Sequence, residues 1–158
     1  DDLIYGGNTI KEMISNYNSG NMLAVMDVDK KHISSYGVIS PGKSIEDNVT
    51  EILSLVEKPS IENAPSNMAV VGRYIIEPAV FEVLEQQNRG ASNEIQLTDA
   101  IASRIGKSNC VGYKFSEERF DCGSKLGFIQ ANIRFSIERP EMRQKLKSWL
   151  KYEIIGDN

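Results

Sequence analysis

The sequence has only two cysteines, Cys110 and Cys122, and a single histidine in 158 residues. Two thiols are too few for a disulfide scaffold and lack zinc-ligand spacing, so a reducing compartment, the cytoplasm, is expected. No apolar run is long enough to span a bilayer, so no membrane partner is expected. Positive charge is not in excess. Eighteen Lys+Arg against 22 Asp+Glu leave a net charge of -4, which argues against affinity built on neutralising many nucleic-acid phosphates and leaves room for a local basic site. His32 has no acid or nucleophile beside it, no Ser or Cys sits in a nucleophile context, and there is no Walker loop. The first residues, Asp1-Asp2-Leu3-Ile4, contain no initiator Met, basic segment or apolar segment, so a signal peptide is not expected and the start reads as abrupt. What is present, 41% hydrophobic and 25% charged residues, is the composition of a chain that buries one ordinary core.

Periodicity places strands among helices. Asn8 is placed to cap a helix through Ile10, Met13, Ile14 and Tyr17, with Gly20 as its stop. Met22 to Val28 and Tyr36 to Ser40 read as strands. Pro41-Gly42-Lys43 reads as a turn that reverses the chain before the apolar run Ile52 to Val56. Met68 to Ile76 is the clearest strand, interrupted by Gly72 and Arg73. Pro78 opens a helix expected to end near Arg89-Gly90, and Leu97, Ala100, Ile101 and Ile105 repeat the helical spacing up to Gly106. Val111 to Phe115 reads as a strand and Phe120-Asp121-Cys122-Gly123 as a turn. Ser124 is placed to cap a long helix broken at Pro140, after which Met142, Leu146, Trp149 and Leu150 share one face. No repeat, linker or internal boundary is visible. The pattern predicts an α/β or α+β fold in one domain over residues 1–158, with the terminal helices, 124–152, suited to docking on a core or a second subunit.

Several residue groups carry possible chemistry. Asp1-Asp2, read as following an upstream strand, suits a hard divalent cation held through oxygen; two solvated turn acids are the plainer reading. In Glu57-Lys58-Pro59 the proline biases Lys58 toward extended backbone, so the two side chains diverge, one toward hydroxyls and the other toward a phosphate. A surface ion pair is the alternative. Gly37 and Gly72 interrupt apolar strands, which marks close approach of a ligand, or equally core packing or a bulge. Asp121 is either a second oxygen ligand for a metal or a turn former.

Four stretches occur in order: Val56-Glu57-Lys58-Pro59, Ala64 to Tyr74, Glu94-Ile95-Gln96-Leu97-Thr98-Asp99-Ala100-Ile101, and Asp121-Cys122-Gly123-Ser124-Lys125-Leu126-Gly127. In these the chain resembles the bacterial UTP:glucose-1-phosphate uridylyltransferases, or UDP-glucose pyrophosphorylases, of the sugar nucleotidylyltransferase superfamily. The resemblance implies a Rossmann-like α/β fold on a mixed sheet. It covers the later part of a family member, without the N-terminal glycine-rich segment that cradles the nucleotide. It further implies attack of glucose 1-phosphate on the α-phosphorus of UTP, giving UDP-glucose and pyrophosphate with Mg2+. By resemblance Lys58 and Asp1 are the catalytic candidates, and Asp2, Gly37, Glu57, Lys58, Gly72 and Tyr74 bind substrate. Asp1 and Asp121 are the metal candidates. A homo-oligomer is expected, and the chain alone is expected not to turn over, because the groups that orient the triphosphate are absent. A thymidylyltransferase, another sugar nucleotidylyltransferase and a non-catalytic oligomerisation or sugar-phosphate-binding module are the alternatives.

Overall fold

The computed structural model describes residues 1–86 and 95–155. The chain, expected as one partial domain, forms two compact units: Asp1–Tyr5 with Glu118–Asn158, and Gly6–Glu117. No linker composition separates them, because the first unit is assembled from both ends of the chain and the second lies between.

In the inner unit five strands close on one another: β2 (Asn21–Asp27), β3 (Gly37–Glu46), β4 (Val49–Glu57), β5 (Met68–Ile75) and β6 (Cys110–Lys114), numbered after β1 described below. Their order is β2-β5-β3-β4-β6, with β2 and β6 parallel and the other neighbours antiparallel. This is the mixed sheet that the resemblance implies. Alternating side chains point inward, and Leu23, Val25, Ile39, Ile52, Leu55 and Val70 form one core with Val80 of α2 (Ala79–Gln86) and Ile101 of α3 (Leu97–Ala102). Residues 87–94, where the end of the Pro78 helix and Glu94 fall, lie outside the described residues. The α3 helix ends at Ala102, before Gly106, which itself adopts φ +82°.

Three local expectations are corrected. Pro41-Gly42 is not the reversal: β3 runs on to Glu46, and the chain turns through Asp47-Asn48 into Val49. Register shifts on both sides of Pro41 make this a bulged stretch, where a residue without an N–H is tolerated. At Gly42 a Cβ would stand 2.8 Å from Glu51 Oε2, a contact the glutamate side chain can relieve by moving. The helix α1 (Thr9–Asn16) buries Thr9 and Met13, one turn apart, and leaves Ile10 and Ile14 exposed. Asn8 precedes it without a side-chain capping bond.

The third correction concerns the outer unit. Phe120-Asp121 is strand, not turn. β7 (Glu118–Asp121) pairs antiparallel with β1 (Asp2–Tyr5), in register Asp2↔Asp121 through Tyr5↔Glu118. Two helices follow, α4 (Lys125–Glu138) and α5 (Pro140–Ile155), the Pro140 break falling where expected. Ser124 caps α4 as predicted, its Oγ accepting from the Gly127 N–H at 3.0 Å. Arg134 lies over the Tyr5 ring, 4.2 Å from its centroid, and Phe135 meets the same ring edge-on. Among the described residues no helix is long and apolar enough to cross a membrane.

Candidate functional site

The inner unit collects its candidate residues where β3 begins and β4 ends. Gly37 pairs directly with Glu57. A Cβ at position 37 would lie 3.1 Å from Glu57 Oε2 and 3.1 Å from Thr98 Cγ2. Glycine is therefore what lets the Glu57 carboxylate and Thr98 close over the strand. Thr98 sits in the first turn of α3, which packs on β4. It is buried, and its Oγ1 has no hydrogen-bond partner among the described residues. Such a hydroxyl costs roughly 1–3 kcal/mol until something pairs with it. Sequence reasoning did not single out Thr98. It lies inside a stretch that carries the resemblance, but the isolation of its hydroxyl is created by tertiary packing.

Lys58 departs from expectation. Its backbone is not extended but left-handed, at φ +44°, a region disfavoured for a side-chain-bearing residue. The Lys58 N–H donates to the Tyr36 carbonyl at 3.0 Å, one step beyond the Gly37↔Glu57 pair, and this bond with the buried Pro59 overrides the pre-proline preference. The surface ion pair is not formed. Among the described residues neither the Glu57 carboxylate nor the exposed Lys58 ammonium has a side-chain partner.

Gly72 and Tyr74 share β5, which meets β3 through Val38↔Ala69. Gly72, at φ +47°, occupies a bulge: Leu23 faces Tyr74 while Val25 faces Val70. Its conformation answers the bulge, and it is exposed. Tyr74 packs its half-buried ring against the core cluster.

Elsewhere in this unit Glu77 is held differently. Its Oε1 accepts from Ser108 Oγ at 2.5 Å, Arg104 Nε at 2.9 Å and Asn21 Nδ2 at 3.3 Å. These hydrogen bonds, Ser108's first and Arg104's second, hold its carboxyl below the usual carboxylate range. Burial pushes the Cys110 thiol up to about 11, which makes it inert as a nucleophile.

The outer unit holds the aspartates. Asp1 Oδ2 and Asp121 Oδ1 both reach the space where Gly123 would carry a Cβ, 2.9 and 3.1 Å from it. The Asp121 Oδ1 accepts from the Gly123 N–H at 3.0 Å, and the Cys122 N–H donates to the Asp1 carbonyl at 3.0 Å. The Ser124 hydroxyl donates to the Asp121 carbonyl at 2.9 Å. A Cβ on the buried Gly127 would collide with that same carbonyl. Asp121 thus serves the turn that follows β7, and its carboxylate and that of Asp1 approach the same position. Asp2 takes another course. Its Oδ1 accepts from Arg119 Nε at 2.6 Å and from Nη2, with both side chains mostly buried. Among the described residues no cluster of three or more acidic, cysteine or histidine side chains is arranged to hold a metal. The pair Asp1 and Asp121 offers hard oxygen donors around a side-chain-free position, and that donor set fits a hard divalent cation which takes its remaining ligands from phosphate or water.

The family profile described as "Nucleotidyl transferase" matches residues 1–136. The chain belongs to the nucleotidyl transferase family. Among nucleotidyl transferases it is 40% identical over 144 residues to a UTP–glucose-1-phosphate uridylyltransferase of Staphylococcus epidermidis, covering 90% of this chain and 50% of that protein. It is 38% identical over 143 residues to the enzyme of the same name from Streptococcus pyogenes, covering 89% and 47%. A solved UDP-glucose pyrophosphorylase complexed with UDP-glucose superposes with a TM-score of 0.80 at 39% identity, over 87% of this chain and 54% of that one. This nucleotidyl transferase chain spans about half the length of the curated relatives it matches.

Proposed function

We propose that the chain carries the sugar-phosphate side of a UTP:glucose-1-phosphate uridylyltransferase. The observation that carries this reading is the pair facing Gly37, a carboxylate acceptor at Glu57 and a buried hydroxyl at Thr98, neither with a side-chain partner among the described residues, followed in the chain by the exposed ammonium of Lys58. Glu57 accepts from sugar hydroxyls, Thr98 gives its hydroxyl a partner at last, and Lys58 meets the phosphate as a compact charge. Gly72 and Tyr74 line the sugar on β5. Asp1 and Asp121 would hold the magnesium ion, which when bound neutralises phosphate charge during in-line phosphoryl transfer. No group here serves as a covalent nucleophile, in keeping with chemistry that depends on positioning and electrostatics. Resemblance assigned Asp2 to the sugar; its bond to Arg119 supports a role in the acidic corner. The same reading gives glucose 1-phosphate and UTP as substrates, the cytoplasm as compartment and no turnover by this chain alone. Exposed Leu126, Phe128 and Ile129 of α4 and Trp149 of α5 support self-association.

Saturation-transfer NMR with glucose 1-phosphate tests the reading. Signal transfer to the hexose protons is expected with the wild-type chain. It should fall at least about tenfold in Glu57→Gln and Lys58→Ala, since a hydrogen bond to a charged group contributes about 1.5–3 kcal/mol. Equal transfer to wild type and both variants would overturn it. UDP-glucose formed by the chain from UTP, glucose 1-phosphate and Mg2+ would overturn the expectation that it does not turn over.

A further inference from the structure

Three aspartates stand at the end of the β1–β7 pair, yet only two converge. Asp2 and Asp121 are direct cross-strand partners, so their side chains leave the same face of the ribbon; Arg119, two residues before Asp121, leaves that face too. Left to itself, Asp2 would be a near neighbour of the Asp121 carboxylate and would repel it. Arg119 prevents this. Its Nε and Nη2 both donate to Asp2 Oδ1, with the arginine and aspartate side chains 10% and 17% exposed. Two donors of a buried guanidinium on one oxygen anchor the carboxylate on the Arg119 side and offset its charge.

We propose that Arg119 is a positioning residue that keeps Asp2 out of the cation's coordination shell, so that the corner offers two carboxylates, Asp1 and Asp121, and not three. The reason is a matter of charge and open positions. A third carboxylate would bind a divalent ion more tightly in the absence of substrate and would occupy a position that a phosphate oxygen needs. Arg119 thereby sets the corner for a weakly held ion completed by substrate oxygens. This inference rests on the reading of Asp1 and Asp121 as cation ligands.

Mn2+ binding to the chain, followed by electron paramagnetic resonance of the free ion and by water-proton relaxation of the bound one, tests it. In Arg119→Gln the freed Asp2 should join the ion: affinity rises at least about fivefold, and relaxation per bound Mn2+ falls as an inner-sphere water is displaced. A residue that merely stabilised the ribbon would give the opposite sign. The double variant Arg119→Gln/Asp2→Asn, matched to wild type in net charge, should return affinity to within about twofold of wild type. If the double variant binds at least about tenfold more weakly, Asp2 is already a ligand and the inference is overturned. An unchanged or lower affinity in folded Arg119→Gln also overturns it; should that variant not fold, the double variant decides. Asp121→Asn separates the two levels. Loss of Mn2+ binding there upholds the cation site independently of Arg119, whereas unchanged binding overturns the site and this inference together.

Discussion

Two glutamates of the inner unit, Glu77 and Glu57, are the same residue type put to opposite uses. Around Glu77 every donor is in place: Ser108, Arg104 and Asn21 converge on one oxygen, and the backbone N–H of Glu77 itself donates to Asn21 Oδ1 at 3.1 Å. Around Glu57 no described side chain donates, the neighbouring Lys58 sits exposed on a left-handed backbone, and the Thr98 hydroxyl is buried without a partner among the described residues. A carboxylate with its donors supplied ties separate segments together, here β2 and the stretch between α3 and β6. One whose surroundings are incomplete is poised for a molecule that completes them. On the proposed reading, scaffold and site differ in where hydrogen-bonding capacity is spent and where it is left over.

The comparison breaks most visibly if Glu77 is cut back. Glu77→Ala should destabilise the chain by about 2–3 kcal/mol in urea unfolding, because Arg104 and Asn21 lose a common partner in a mostly buried place. A cost below about 0.5 kcal/mol would mean that the cluster is ornamental. The acid side of the same contact comes next. The folded carboxyl of Glu77 sits below its ordinary value of 4.5, so its contribution is fully present above that value and is lost as pH falls through the folded pKa. The melting-temperature gap between wild type and Glu77→Gln should hold from pH 7 to pH 5 and narrow as pH falls below the ordinary value of 4.5; a gap that widens on acidification contradicts the assignment.

Smaller effects sharpen the other half of the comparison. Thr98→Val removes the orphaned hydroxyl with little change of shape and should stabilise the apo chain by about 1 kcal/mol while weakening glucose 1-phosphate binding. Lower stability in urea would show that the hydroxyl has a partner. Lys58→Gly relieves the left-handed strain but loosens the unfolded chain, so it should leave stability within about 1 kcal/mol of wild type, on the stabilising side. A larger loss would make Lys58 part of the scaffold.

Much of this was legible beforehand, and what was not has physical causes. The Asp121–Gly127 turn could be read closely because its interactions are local: an aspartate accepting from a backbone two residues on, a serine capping the helix it precedes, two glycines where side chains would collide. The Glu57-Lys58-Pro59 corner was found by type and spacing, but its backbone was misjudged, since a hydrogen bond to Tyr36 from another strand outweighs a preference of neighbouring residues. Pro41-Gly42 misled for a related reason. Turn chemistry and bulge chemistry use the same residues, and only the partner strand distinguishes them. Thr98 and Arg119 escaped notice because one matters through the absence of a partner and the other through a partner far along the chain. β1 was missed for that cause as well, since four residues with a distant mate carry little pattern of their own.

The pairing of β1 with β7 also bears on the order in which the molecule assembles. Asp2 and Arg119 stand 117 residues apart, and closing an unstructured loop of that length is entropically costly and slow to search. The inner unit shortens the search: its own ends meet, with Glu117 Cγ only 3.1 Å from where Gly6 would carry a Cβ. Once the inner unit has folded, Gly6 and Glu117 are neighbours and the loop that joins β1 to β7 is no longer random. On a ribosome the β1–β7 pair can therefore form only after nearly the whole inner unit has been made.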